Sequence, residues 1–208
     1  MRDCRFCDLL NTPAEQRPVE NTLLDETHHF EWIPALGAFI EGYTLIVSKT
    51  CVLNTTCLES SMIDELDHFI QDVQSRLKTL YGIGSVVFEH GTRGTKRPGG
   101  TSVDHQHVHI VPVDHPGVLA RLLKDFACHR DIRSMRDLQA LRNEHDPYVY
   151  YRSSQGQHHV FEAPSLSSQY MRKVIAKSWG CPADWDWREK PFRRNIRAFV
   201  RRIVSSEE

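Results

Sequence analysis

Short apolar strand patterns and one long helical pattern share this chain, a mixture that predicts an α+β fold. Three observations carry that expectation. Between residues 60 and 80, Met62, Leu66, Phe69, Ile70, Val73, Leu77 and Leu80 recur at helical spacing, with Asp64, Glu65, Asp67 and Lys78 off the stripe. Residues 29–33 and 85–89 are short runs of aromatic and β-branched residues, the composition of strands. In the third, His105, His107 and His109 alternate with Gln106, Val108 and Ile110. In an extended strand this period of two places the three imidazoles on one face and turns Val108 and Ile110 towards a core.

The 208 residues suffice for one substantial core, or a core with an added subdomain. At 40% hydrophobic, 25% charged and a formal charge of −1, the composition is that of an ordinary globular chain. It demands neither a nucleic-acid nor a membrane partner. No charged-then-apolar leader opens the sequence, and no apolar run approaches the roughly 18 residues that cross a bilayer, so a cytoplasmic location is expected. Without a secretion signal, the six cysteines read as thiols or metal ligands rather than disulfides.

In chain order, Cys4 and Cys7 have a spacing that serves either a shared zinc or a redox pair, and a zinc site needs further donors. Residues 22–25 and 29–33 predict a first hairpin, with His28 and His29 as solvated side chains at its turn. The 60–80 helix is expected to start with a cap from Ser60 or Ser61 and to end at Gly82, with His68 on its surface. After the 85–89 strand, residues 90–100 combine four glycines with Arg93, Lys96 and Arg97. Glycine lets backbone amides approach an anion while the cations attract it, so this loop reads as a phosphate cradle or as a flexible basic connection. Beyond Pro112 the pattern predicts helices at 118–126 and 134–141, a hairpin at 146–151 and 157–161, and closing helices at 167–179 and 191–204. Seven basic residues and one acid lie between Arg188 and Arg202, opposite Ile196, Phe199, Val200 and Ile203. That is a packed helix with a solvated charged side, or one that, with Gln169 and Arg172 on the preceding helix, extends a phosphate site.

A histidine row can be a metal platform, a nucleophile with its supporting groups, or a pH-sensitive face. Direct zinc binding by all three is disfavoured, because the outer α-carbons of such a strand are roughly 13 Å apart. His-x-His-x-His followed by Ile110 and Val111 resembles the signature of the histidine triad (HIT) superfamily of nucleotide hydrolases and nucleotidyl transferases. Cys4-Arg5-Phe6-Cys7 resembles the N-terminal motif of its zinc-containing bacterial members. Residues 42–50 resemble their strand leading to a metal ligand, a position held here by Cys51. Phe88-Glu89-His90-Gly91 resembles the strand end before the phosphate loop, and Trp185-Asp186-Trp187-Arg188 resembles a feature of larger bacterial HIT-like proteins.

The resemblance implies a HIT-like antiparallel sheet of about five strands under the 60–80 helix, within a catalytic core at 1–115. Residues 116–208 are then an extension of helices, a hairpin and the basic terminal helix packed on that core. It implies His107 as nucleophile, His109 and Ser102 as its catalytic partners, and Gly100, Thr101, Ser102, Arg93 and Lys96 around the phosphate. It implies a structural zinc ion on Cys4, Cys7, Cys51 and His105, with Cys57 the weaker substitute for Cys51. The expected activity is hydrolysis of a nucleotide phosphoanhydride or phosphoramidate through a nucleotidyl-histidine. The alternatives are nucleotidyl transfer, dinucleoside polyphosphate phosphorolysis, or a non-catalytic zinc-stabilised nucleotide-binding module. A nucleotide or dinucleoside polyphosphate is the expected partner, in a homodimer, with nucleic acid less favoured and no membrane. Three departures from the family pattern stand out: Glu89 where asparagine is usual, Thr101 for glutamine, and no carboxylate in Pro34-Ala35-Leu36-Gly37, where many members hold the ribose.

Overall fold

The computed structural model describes residues 4–92, 104–144 and 146–206. Its strands are β1 (Asp25–Glu26), β2 (Phe30–Pro34), β3 (Thr44–Ser48), β4 (Val86–Gly91), β5 (His107–Val111), β6 (His129–Ile132), β7 (Tyr148–Arg152) and β8 (His158–Glu162). Its helices are α1 (Arg5–Leu10), α2 (Ser60–Tyr81), α3 (Pro116–Asp125), α4 (Tyr170–Ser178) and α5 (Arg193–Ser205). The strands form one sheet in the order β1-β2-β3-β5-β4-β7-β8-β6, with every pairing antiparallel.

The sheet has eight strands, not about five. β4 would be an open edge, and β7 satisfies its backbone along Val87↔Arg152 to Gly91↔Tyr148, so the predicted 146–161 hairpin continues the same sheet. Tyr148, Val149, Tyr150 and Tyr151 are all buried, as expected of a strand covered on both faces. β6 was not expected: its sequence, His-Arg-Asp-Ile, is an exposed edge and carries no apolar alternation to read.

One face of the sheet presents Phe30, Trp32, Ile46, Val87, Val108 and Ile110 to α2 and to Phe199 and Ile203 of α5. Of the predicted stripe α2 buries Leu66, Phe69, Ile70, Val73 and Leu77, each worth roughly 1.5–3 kcal/mol relative to exposure, while Met62 and Leu80 are half-buried and Ile63, which was not in the stripe, is buried in place of Met62. Gly82, at φ 71°, closes α2 in the left-handed conformation open to glycine. Neither Ser60 nor Ser61 caps the helix: Glu59 holds that position, and Ser60 Oγ donates to Gln139 Oε1. The other face presents Ile33, Leu45, Val47, Phe88, Val149 and Phe161 to residues of α1, α3 and α4.

Smaller departures have local causes. The helix expected at 134–141 is a 3-10 segment, Met135–Leu141, whose Met135, Leu138 and Leu141 recur at the three-residue spacing of that geometry. The first predicted strand shortens to β1, because Val19–Asn21 forms a 3-10 turn just before it. His29 is not simply solvated: its Nδ1 lies 2.6 Å from Glu65 Oε2, and its backbone N–H donates to Oε1 at 2.8 Å. Among the described residues no helix is long and apolar enough to cross a membrane.

Candidate active site

β5 lies between β3 and β4, with His109 opposite Leu45 on one side and Phe88 on the other, and His107 opposite Val47. Because side chains alternate, His107 and His109 leave the strand on the face away from α2, while Val108 and Ile110 enter the α2 core. The two imidazoles line a cavity of about 280 Å³. Phe6, Ile33, Pro34, Leu36 and Leu45 supply its apolar wall, and His90, Gln169, Arg172, Trp187 and Arg188 supply most of the rest.

His107 Nδ1 is 2.7 Å from the carbonyl oxygen of His105. A carbonyl only accepts, so Nδ1 carries the hydrogen and Nε2 keeps its lone pair. Burial pulls the His107 pKa down to about 4, against the opposing pull of that carbonyl, so the ring is uncharged near neutrality. His109 stacks on Phe88 with ring centroids 4.4 Å apart and planes 6° from parallel, and its Nδ1 is 2.9 Å from the Tyr43 hydroxyl. Burial, then the neighbouring His107, His90 and Arg172, hold the His109 pKa well below the usual histidine range. Burial also lowers His90, to about 3, and its Nε2 is buried with no hydrogen-bond partner among the described residues.

The far wall comes from the C-terminal half. Gln169, left-handed at φ 55°, caps α4; its Oε1 accepts from Trp187 N–H, and its Nε2 donates to Asp186 Oδ1 at 3.0 Å. Arg172 is 4% exposed; its Nε donates to the Trp185 carbonyl at 2.7 Å and its Nη2 to the Gly37 carbonyl. Gly37, at φ 74°, lies so close to Trp187 that a Cβ there would collide with Trp187 Cα and Cβ. The stretch that lacks a carboxylate is thus covered by the Trp-Asp-Trp-Arg segment. Arg5, Arg172 and Arg188 line the cavity, and none of its described lining residues is acidic.

At the other end of the histidine row the surroundings differ. His105 is 1% exposed, with Nδ1 3.3 Å from Cys4 Sγ and 3.7 Å from Cys7 Sγ, while Nε2 donates to the Ser48 carbonyl at 2.7 Å. Cys4, Cys7, Cys51 and His105 place one ligand atom each within 4.8 Å of one another. Zinc–sulfur and zinc–nitrogen bonds of about 2.3 and 2.0 Å at a tetrahedral angle put such atoms roughly 3.5 Å apart, so this donor set fits the ion. Burial and hydrogen bonding with Cys51 and Cys4 push the Cys7 thiol up to about 12. Cys57 stays outside the cluster, where its Sγ donates to Asn54 Oδ1 at 3.8 Å.

Arg93, Lys96, Gly100, Thr101 and Ser102 lie outside the described residues. Glu89, in the usual asparagine position, is 1% exposed and accepts from Thr55 N–H, Thr55 Oγ1 and Tyr148 Oη, so it joins β4 to its neighbours instead of facing the cavity. Sequence reasoning assigned no role to Tyr43, His90 or Arg5. All three stand inside recognisable motifs, but their contacts depend on segments distant in the chain.

No family model matches this sequence, and no curated protein does. Solved structures do show likeness. A HIT-like protein involved in cell-cycle regulation from Bartonella henselae is 15% identical over 54% of this chain and 79% of its own, with a TM-score of 0.43. A member of the HIT family from Bacillus subtilis is 20% identical over 53% and 72%, at 0.42, and a uridylyltransferase is 14% identical over 77% and 75%, at 0.40. These are partial overlaps of chain path and assign no residue a role. What defines the class here is an α+β sheet whose central histidine strand faces a thiol cluster at one end and a cavity at the other. That strand carries the motif that resembles the histidine triad signature.

Proposed function

We propose that this chain processes nucleotides through a nucleotidyl-histidine intermediate formed on His107. The single observation that carries the reading is the His107 Nδ1 to His105 carbonyl bond of 2.7 Å, which leaves a bare Nε2 on a ring that lines the cavity. That lone pair attacks the α-phosphorus; a P–N bond forms, and the P–O bond to the leaving group breaks with its electrons on the departing oxygen. The carbonyl of His105 then faces a cationic ring and stabilises it. In the second step water, or another acceptor oxygen, attacks phosphorus, a water molecule losing a proton to solvent as it does so, and the P–N pair returns to Nε2. His109 hydrogen-bonds the phosphate or leaving oxygen. Arg5, Arg172 and Arg188, with no acidic side chain among the described lining residues, suit an anionic ligand. The proposal keeps Ser102 and the loop containing Arg93, Lys96, Gly100 and Thr101 as the phosphate cradle, on the strength of the motif.

Cys4, Cys7, Cys51 and His105 are proposed to hold a structural zinc ion, which would tie α1 to the start of the triad strand and leave no open position for chemistry. The hydrogen bond from His105 Nε2–H to the Ser48 carbonyl orients its ring for that role. Transfer to phosphate or a sugar phosphate shares the first half-reaction, so the acceptor distinguishes it from hydrolysis. The test is to incubate the protein with adenosine nucleotides, dinucleoside polyphosphates and phosphoramidates and follow intact mass in acid-free buffer. The expected result is a nucleotidyl adduct, or turnover, that His107→Ala abolishes. No adduct and no turnover in any pool would leave the non-catalytic binding module as the better reading.

A further inference from the structure

His109 presents one nitrogen to Tyr43 and the other to its surroundings, and which of the two carries the hydrogen decides what a bound ligand meets. Tyr43 Oη and His109 Nδ1 are 2.9 Å apart, a distance that serves either direction of donation. The tie is broken by what stands on the other side of Tyr43. Arg172 lies with its guanidinium carbon 5.0 Å from the Tyr43 ring centroid and 5.2 Å from that of Phe39, fixed by the carbonyls of Trp185 and Gly37. Tyr43 is fully buried, and among the described residues the hydrogen-bond partner of its hydroxyl is His109 Nδ1. A cation donates and never accepts, so Arg172 offers the hydroxyl hydrogen no acceptor, and the buried hydroxyl donates to Nδ1. The Phe88 stack holds the imidazole in plane for that bond.

We infer that Arg172 and Tyr43 are positioning residues that lock His109 as the Nε2–H tautomer, opposite to His107, so that one triad histidine offers a lone pair and the other a hydrogen-bond donor. The helix that supplies Arg172, α4, lies in the half of the chain without a recognisable catalytic motif. Burial pushes Tyr43 up to about 12, which keeps the donating hydrogen in place across the neutral range. The functional meaning of the donor rests on the nucleotide-processing reading above; the tautomer itself does not.

The test is long-range proton–nitrogen NMR on protein labelled with nitrogen-15 histidine, in which protonated and bare ring nitrogens resonate far apart. His109 is assigned by its loss in His109→Gln. In the unaltered protein His109 is expected to show protonated Nε2 and bare Nδ1. Tyr43→Phe removes the donor with little change of shape and should move His109 towards a mixed tautomer, while His107 stays protonated at Nδ1. Arg172→Gln should cause the same shift in part, and Arg172→Lys should restore it. A His109 protonated at Nδ1, or one unmoved in Tyr43→Phe, overturns the inference. An effect of Tyr43→Phe with none from a folded Arg172→Gln overturns the part played by α4, and should Arg172→Gln fail to fold, Arg172→Lys keeping the unaltered His109 signals is the required result. Where turnover is measurable, Tyr43→Phe should lower kcat about tenfold with KM within about twofold, since Tyr43 acts through His109. Absence of turnover in the unaltered protein counts against the proposed function and leaves the NMR result to decide the tautomer.

Discussion

The two ends of the histidine row make an instructive pair. His105 and His107 are two residues apart and share a residue type, yet His105, in the bend before β5, is enclosed by thiols, and His107, the first residue of β5, lines a cavity. At His105 the nitrogen facing the sulfurs is Nδ1, and Nε2 is committed to the Ser48 carbonyl. At His107 the assignment reverses, with Nδ1 committed to a carbonyl and Nε2 left over. The backbone carbonyl that each ring meets selects its free nitrogen, and the neighbours of that nitrogen select its chemistry.

This contrast can be broken experimentally. The largest effect is expected at the cavity end, where His107→Ala should cost about 10³-fold or more in kcat/KM while metal content stays at the unaltered level. Parallel loss of zinc would mean the two ends are not separate. At the other end, Cys4→Ser should take zinc from about one ion per chain to nearly none by elemental analysis, with a lower melting temperature. Full occupancy would remove Cys4 from the ligand set. Behind the row, Ile110→Ala should cost roughly 2–5 kcal/mol in denaturant unfolding while each folded molecule keeps its activity, because Ile110 enters the α2 core.

The smallest effect concerns a histidine outside the row. His29 has a carboxylate partner, Glu65. Burial raises the pKa of Glu65, but hydrogen bonds from the His29 ring and backbone N–H outweigh it and hold the group at about 2. A carboxylate depressed in the folded state stabilises it above its ordinary value of 4.5, and the gain is lost as pH falls through about 2. Glu65→Gln should therefore cost ~1 kcal/mol in urea unfolding at pH 7 and only a small part of that near pH 2. An equal cost at both pH values would show that packing, not charge, is what the substitution removes.

Much of this architecture was legible because it is periodic. The α2 stripe and the alternation in β5 each state which residues face the core, and hydrophobic burial enforces them. The closeness of Cys4, Cys7, Cys51 and His105 was legible only through the motif resemblance, since a lone Cys-x-x-Cys serves several chemistries. β6 was not, since an exposed edge strand needs no apolar face. Nor was the involvement of His90, whose neighbours come from a different strand. Gln169 and Arg172 were named as candidates, but no spacing told whether they faced the same site.

By itself the amino-acid order determined the strand that bears the imidazoles and the helix that backs it; it grouped Cys4, Cys7, Cys51 and His105 only through a resemblance. Tertiary structure decided which ring nitrogen is free, what covers the acid-free stretch at 34–37, and that Tyr43 and Arg172 stand behind His109. The reason is one of range. Periodicity acts through neighbours a few residues apart, whereas Arg172 meets the Gly37 carbonyl, and Cys4 meets His105, only after the chain has closed over more than a hundred positions.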